Sequence, residues 1–251
     1  FSDTFRNAIG GGLHSHNKNS PEFQEFLLIP TGKSFKEKVK IMSKSYKKLK
    51  KQIKSKGKND EGAWQTSFSN EQILTILSTH KKIKIGLDIA ALTFYKNNNY
   101  IYYQKSLDKT TQIHYINSLI KKYKLAYVED PLDEEDFSGF KKISKKTLVC
   151  GDDLTASQIS RLKKAIKSKA INAMIIKPNQ NGSLLEIQNL FKLSKKYKIK
   201  TIMSHRSGET LDDSLADYAF AFQSDFIKTG ISTKWRTSKL KRLIQIEKRL
   251  Q

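Results

Sequence analysis

Apolar and polar positions alternate along this chain in two periods. Phe35, Val39, Met42, Tyr46, Leu49 and Ile53 recur every three to four residues with lysines between them, the stripe of an amphipathic helix. Leu184, Ile187 and Phe191 form a second stripe, Leu211, Leu215 and Phe222 a third, and Leu240, Leu243, Ile246 and Leu250 a C-terminal one. Ile159, Leu162 and Ile166 form a further helix, with Thr155 and Ser157 both placed to cap it. Short continuous apolar runs lie between the helices: 26–30 (FLLIP), 83–91 (IKIGLDIAA), 125–131 (LAYVEDP), 148–155 (LVCGDDLT), 173–177 (AMIIK) and 201–206 (TIMSHR). Runs of this length read as buried strands, parallel where helices separate them. The first third is less regular, with turns at Gly10–Gly12 and Asn97–Asn99.

The charged residues sit where the apolar runs stop. Asp88, Glu129 and Asp152 close three runs; Lys177, and His205 with Arg206, close two more. Glu129, Asp152, Lys177, His205 and Lys228 follow one another at intervals of 23, 25, 28 and 23 residues, the length of one strand, one helix and two loops. Repeated βα units with chemistry at the strands' C-terminal ends predict a (β/α)8 barrel. A doubly wound sheet gathers its site at one switch point and would not recruit so many consecutive strand ends. Three carboxylates at one mouth suit a hard divalent cation, and cationic strand ends beside them suit an anionic substrate.

Composition changes the picture in two respects. Of 47 basic residues 41 are Lys and six are Arg, and the net charge is +23. Most of the lysines fall on helix faces, so they read as a solvated exterior rather than a nucleic-acid surface, although attraction of polyanions follows either way. The single cysteine, Cys150, has no partner for an internal disulfide; it reads as a buried thiol and points to a reducing compartment. No run reaches the roughly 18 apolar residues of a membrane span, and the first residues lack the apolar segment of a signal peptide. Among the remaining groups, Asp153 reads as a loop or helix cap, His16 as a surface loop residue, and His80 and His114 as solvent-facing.

The motifs together resemble the catalytic barrel of enolase (phosphopyruvate hydratase). The matching segments are GGLHSHNK (11–18), QEFLLIPTG (24–32), DEG (60–62), GLDIAA (86–91), YVEDPLDEEDF (127–137), GDDLT (151–155), IIKPNQNGSLLE (175–186), SHRSGETLDDSLAD (204–217) and IKTG (227–230). The resemblance implies an enolase-type (β/α)8 TIM-like barrel over residues 1–251. It also implies reversible dehydration of 2-phosphoglycerate to phosphoenolpyruvate in glycolysis, in the cytoplasm, by a homodimer. By the same resemblance Asp88, Glu129 and Asp152 bind the first Mg²⁺, Lys177 is the general base and Glu61 the general acid. Arg206 and Ser207, with His205 beside them, bind the phosphate; Lys228 holds the substrate carboxylate; His14, Gln24 and Glu25 close on the substrate. The chemistry asks for such a set. Removing a proton α to a carboxylate builds up negative charge, a lysine base must fall well below its usual pKa of about 10.4, and hydroxide leaves only with an acid such as a protonated Glu61.

The chain departs from the family pattern in places. The family carries an N-terminal α+β capping domain whose lid serine helps bind a second Mg²⁺, and this chain starts at or just before the barrel. Ala63 stands where the family has glycine, and the loop before Gln24 leaves His14 or His16 for one position. Two other readings compete with a working enolase. One is a non-catalytic or lid-deficient homologue acting as a basic binding protein. The other is a different enolase-superfamily lyase or racemase, against which the SHRSGET segment argues.

Overall fold

The six apolar runs and two further segments form eight strands that close on themselves. The computed structural model describes residues 3–15, 20–55 and 57–250; His16 lies outside them. The barrel strands are β1 (Asp3–Gly10), β2 (Glu25–Pro30), β3 (Ile83–Asp88), β4 (Tyr127–Glu129), β5 (Leu148–Gly151), β6 (Ala173–Ile176), β7 (Lys200–Ser204) and β8 (Phe226–Gly230). They pair in chain order, and β8 closes the barrel on β1 in parallel, with Phe5 opposite Lys228.

One strand runs against the expected all-parallel pattern. The connection from Gly10 to Glu25 stays at one end of the barrel, where these two residues pair, so β2 is antiparallel to both β1 and β3. Parallel pairing would need a crossover to the other end. The reversal brings the first residue of β2 to the mouth formed by the other strands' last residues. Glu25 pairs with Asp88, and Asp88 with Glu129, which places three carboxylates in one lateral row.

Period-two alternation sorts the barrel interior into layers. Phe5, Leu27, Ile29, Tyr127, Cys150, Ala173, Ile175 and Ile202 form one buried cluster, with the Phe5 ring 4.6 Å from Tyr127 and 4.5 Å from Phe226. Two residues further along the same strands stand Glu129, Asp152, Lys177, Ser204 and Lys228. The apolar plug thus forms the floor of a polar mouth.

The helices pack outside, around a second and larger core. They are α1 (Phe35–Gln52), α2 (Asn70–Ser78), α3 (Lys109–Tyr123), α4 (Phe137–Phe140), α5 (Ile159–Ser168), α6 (Pro178–Asn181), α7 (Leu184–Lys196), α8 (Ser214–Ala221) and α9 (Lys234–Arg249). The α1 stripe is buried at Phe35, Met42, Tyr46, Leu49 and Ile53, each large side chain worth about 1.5–3 kcal/mol of burial. Glu247 of α9 accepts from the Phe35 and Lys36 N–H groups, at 2.6 and 3.2 Å, and so joins the last helix to the first. Both α1 and α2 are capped by serine; Ser69 and Gln72 make a full capping box.

Several local expectations change. Helix α5 is entered through Gln158 without a side-chain cap. Thr155 donates instead to the Gly151 carbonyl, Ser157 accepts from the Lys177 N–H, and Asp153 does not cap the helix. Leu211 lies before α8 and is 67% exposed; the helix buries Ala216 and Ala219. Leu184 and Leu250 are exposed, and Leu190 completes the α7 core face. His80 is buried against Gln52, 2.7 Å away, whereas His114 is exposed as expected. Cys150 is a buried free thiol. No helix among the described residues is long and apolar enough to cross a membrane.

The turn at residues 59–62 is held from outside the barrel. Tyr46 and Ser232 hydroxyls both donate to the Gly62 carbonyl, at 2.5 and 2.9 Å. Gly62 has φ +78°, and a Cβ there would meet Ser232 Oγ at 2.3 Å. Ala63, next in the chain, is buried without conflict and donates its N–H to Asn59 Oδ1 at 2.8 Å. Gly182 has a similar φ, +83°, with nothing within 4 Å. Gly182→Ala is therefore expected to cost only the left-handed backbone term, about 1–2 kcal/mol, and Gly62→Ala clearly more. Urea denaturation of the two variants checks this; equal losses would show that Ser232 does not constrain the turn.

Candidate active site

The lateral row of carboxylates surrounds one ammonium. Lys228 Nζ lies 2.8 Å from Asp88 Oδ2, 2.8 Å from Glu129 Oε2 and 2.9 Å from Glu25 Oε2, with all four side chains buried. Three carboxylates against one cation leave surplus negative charge in a low-dielectric place. Burial and then Asp88 push the Glu129 carboxyl well above its usual range in spite of Lys228. The Lys228 ammonium is held charged, because its carboxylates outweigh its burial. Tyr127 donates to Glu129 Oε2 at 2.6 Å and fixes that side chain from the barrel floor.

Asp152 and Lys177 form a separate pair, Nζ to Oδ2, at 2.5 Å. Burial works to lower the Lys177 ammonium, but Asp152 and then Glu129 raise it further, so its pKa stands above the ordinary value. Asp152 is thus the group that most strongly holds the proton on Lys177. The ligand atoms of Asp152, Asp130 and Asp153 lie within 4.8 Å of one another. Asp130 is buried at φ +38°, and its carboxylate accepts from the N–H groups of Asp152 at 3.1 Å and Asp153 at 2.7 Å. It shapes the turn that aims Asp152. Asp152 Oδ1 is buried without a hydrogen-bond partner among the described residues.

Across the mouth a second acid cluster gathers. Asn7 Nδ2 donates to Glu25 Oε1 and to Glu61 Oε2, 3.1 Å each. His14 Nδ1 is 3.3 Å from Glu61 Oε2 and 3.8 Å from Glu25 Oε1. Burial lowers His14, but Glu61 and Glu25 outweigh it and raise it to about 9, so the imidazolium persists at neutral pH. Burial would raise Glu61, yet His14 and Arg236 hold it well below the usual carboxylate range. Burial, with Glu61 and Asp88, pushes Glu25 up to about 8 against Lys228. The two neighbouring buried carboxyls are thus pushed in opposite directions, Glu25 up and Glu61 down. Gln24 is half-buried just before β2, with its carbonyl accepting from Gly11 N–H at 3.0 Å.

The loop after β7 completes the rim. His205 is buried; burial, opposed by Glu61 and aided by Arg236, keeps it neutral, at about 3. Arg206 and Ser207 are exposed, and no ion pair to Arg206 occurs among the described residues. A cavity of about 310 Å³ opens there, lined by Pro178, Asn179, Ser204 and Arg206 among others. A larger one, about 670 Å³, lies at Lys200 and Thr201, at the other end of β7 from the acidic mouth.

Sequence reasoning did not single out Asn7, Asp130, Tyr127 or Arg236. Asn7 was detectable as a polar residue in the alternation of β1, and Asp130 as a second acid before Pro131. Arg236 signals only as one of six arginines, on a helix facing the loop after β7. The surplus of buried carboxylate charge and the unpartnered Asp152 oxygen fit a divalent cation at this mouth.

The family model for the enolase C-terminal TIM barrel domain matches residues 3–251. The enolase of Archaeoglobus fulgidus is 41% identical over 257 residues, covering 96% of this chain and 64% of the relative. That of Methanosphaera stadtmanae is 39% identical over 268 residues, covering 97% and 64%. That of Methanocorpusculum labreanum is 39% identical over 262 residues, covering 96% and 65%. The chain therefore spans 64–65% of the length of these curated relatives. With a closed eight-stranded barrel and a match running through every strand end described above, the chain belongs to the enolase family by its C-terminal TIM-barrel domain.

Proposed function

We propose that residues 1–251 form the catalytic barrel domain of a phosphopyruvate hydratase, a lyase that interconverts 2-phosphoglycerate and phosphoenolpyruvate. One observation carries this reading. Lys177 follows β6, and the Glu25–Glu61 pair sits at β2, four strands away in a barrel of eight. A base and an acid thus face each other across the mouth. Removal of a C2 proton from one side and of a C3 hydroxyl from the other is the anti elimination this placement suits.

Each step has its own residues. The substrate phosphate docks on Arg206 and Ser207, whose side chains are exposed at the rim. Its carboxylate is drawn to the Lys228 ammonium. Lys177 Nζ accepts the C2 proton, and the electron pair moves toward the substrate carboxylate. The C3 hydroxyl then leaves as water, with the proton stored on Glu25 and delivered through Glu61 and its partner His14. Asp88, Glu129 and Asp152 would hold Mg²⁺, which supplies positive charge against the developing substrate charge and relieves the hold of Asp152 on Lys177. With the reading go a homodimer and a cytoplasmic setting, as in the enolase family.

Two outcomes are expected. Lys177→Ala lowers phosphoenolpyruvate formation, followed by ultraviolet absorbance in the natural protein with Mg²⁺, by about 10²–10⁴-fold, the usual loss for a general base; unchanged turnover would sink the assignment. Mg²⁺ at about 100 times its dissociation constant raises stability by about 2.7 kcal/mol, seen as a thermal shift, and Glu129→Gln and Asp152→Asn each shrink it. An identical shift in both variants would place the ion elsewhere.

A further inference from the structure

Three consecutive residues of the loop after β7, Arg206, Ser207 and Gly208, are exposed, between the buried His205 and the half-buried Glu209. A Cβ at Gly208 would meet nothing within 4 Å. Packing therefore does not hold this stretch, although the proposed phosphate contacts lie on it. Hydrogen bonds from beneath do. The Ser207 carbonyl accepts from Arg236 Nη2 of α9 at 2.9 Å. A second hold runs through a side chain of the loop itself. Glu209 Oε1 accepts from the Arg206 N–H at 3.3 Å, and Glu209 Oε2 lies 2.5 Å from Lys239 Nζ of α9.

Lys239 is only 2% exposed. An ammonium has three N–H donors, and three acceptors meet this one: Glu209, the Thr210 carbonyl at 2.7 Å and the Trp235 carbonyl at 2.7 Å. The Trp235 bond ties the nitrogen to the first turn of its own helix, and the other two reach the loop. A buried ion pair is a poor stabiliser, since apolar residues of similar volume often serve as well. Apolar contact has no direction, however, and does not select one loop conformation. We infer that Lys239 and Glu209 are a positioning pair for the phosphate rim. Lys239 orients the Glu209 carboxylate, and that carboxylate holds the backbone from which the Arg206 guanidinium projects. The pair also lines the cavity of about 310 Å³ beside Arg206. It acts through Arg206 and not on the substrate itself. The consequence for substrate binding rests on the enolase reading; the hold on the loop does not.

Amide hydrogen exchange in the natural protein reads the loop directly. The Arg206 N–H is expected to be protected in the unmodified protein. Lys239→Met and Glu209→Ala are each expected to speed its exchange about tenfold, the scale of one charge-assisted hydrogen bond. The double variant is expected to be no faster than Glu209→Ala, because both changes break one link. Arg242→Met is the control: it cuts the bond from α9 to Asp217 of α8, Nη2 to Oδ1 at 2.8 Å, and leaves the loop alone. Lys239→Met and Glu209→Ala are expected to raise KM for 2-phosphoglycerate about tenfold with kcat within about twofold, the pattern of lost ground-state binding. Arg242→Met is expected to move neither. An Arg206 N–H that exchanges as fast as an unstructured amide in the unmodified protein overturns the inference, even where no variant folds. So does unchanged exchange in a folded Lys239→Met or Glu209→Ala protein. Additive losses in the double variant, the same change in Arg242→Met, or a lower kcat at unchanged KM overturn it as well. Absence of turnover in the unmodified protein would fail the enolase reading alone and leave the exchange rates to decide on the pair.

Discussion

Everything at the mouth of this barrel is arranged around the Lys228 ammonium. Three carboxylates approach it within 2.9 Å, and none of the four groups has ready access to water. Taking such charges out of water costs several kcal/mol per ion even after relaxation, and mutual attraction compensates only where the geometry is good. A closed sheet supplies that geometry. Glu25, Asp88 and Glu129 come from three neighbouring strands in one row, and Lys228 reaches them from β8. The reversal of β2 is what admits Glu25 to the row. An all-parallel second strand would put its first residue at the opposite end.

The outer helices fix the loops that the strands leave free. Tyr46 of α1 holds Gly62, and thereby the turn that carries Glu61. Helix α9 does more. Its Arg236 and Lys239 reach the loop after β7, and its Glu247 caps α1. The last helix in the chain thus joins the acid turn, the rim and the first helix. A barrel needs such a clasp because its functional loops come from separate βα units with no contact dictated by sequence neighbourhood.

Much of this was legible in the sequence. The strand-end residues follow from a period of two: Tyr127 and Glu129, Cys150 and Asp152, or Ile175 and Lys177 must face the same way, so an apolar floor implies a charged mouth. The regular spacing from Glu129 onward gave the barrel. What failed depends on long-range partners. The direction of β2 cannot be read from FLLIP, because hydrophobicity carries no strand polarity. Thr155 and Ser157 have the right chemistry for a cap, yet Gly151 and Lys177 claim their hydroxyls. His80 seemed exposed because Gln52, its partner, lies 28 residues away. The electrostatic neighbours are equally hidden: against their burial, Glu61 is lowered by His14 and Lys177 raised by Asp152, both distant in sequence.

The strong positive charge and the acidic mouth are two parts of one electrostatic arrangement. Of 24 acidic residues, Glu25, Glu61, Asp88, Glu129, Asp130, Asp152 and Asp153 stand together at the mouth, so the remaining surface is more basic than +23 suggests. Exposed lysines attract anions over roughly 8 Å at physiological ionic strength, which raises the local concentration of a phosphorylated compound. At the mouth itself that anion meets repulsion. The rim cation Arg206 and the ammonium of Lys228 mark the two places where it gains attraction, one outside the acid cluster and one within. Between them lies surplus carboxylate charge that protons on Glu25 and Glu129 relieve only in part. A divalent cation would remove that surplus more completely than a proton does, and would leave positive charge beside the Lys228 ammonium. On the enolase reading, outer lysines, rim arginine and inner carboxylates would act in sequence on one phosphorylated ligand, with the metal as the condition for the last step of its approach.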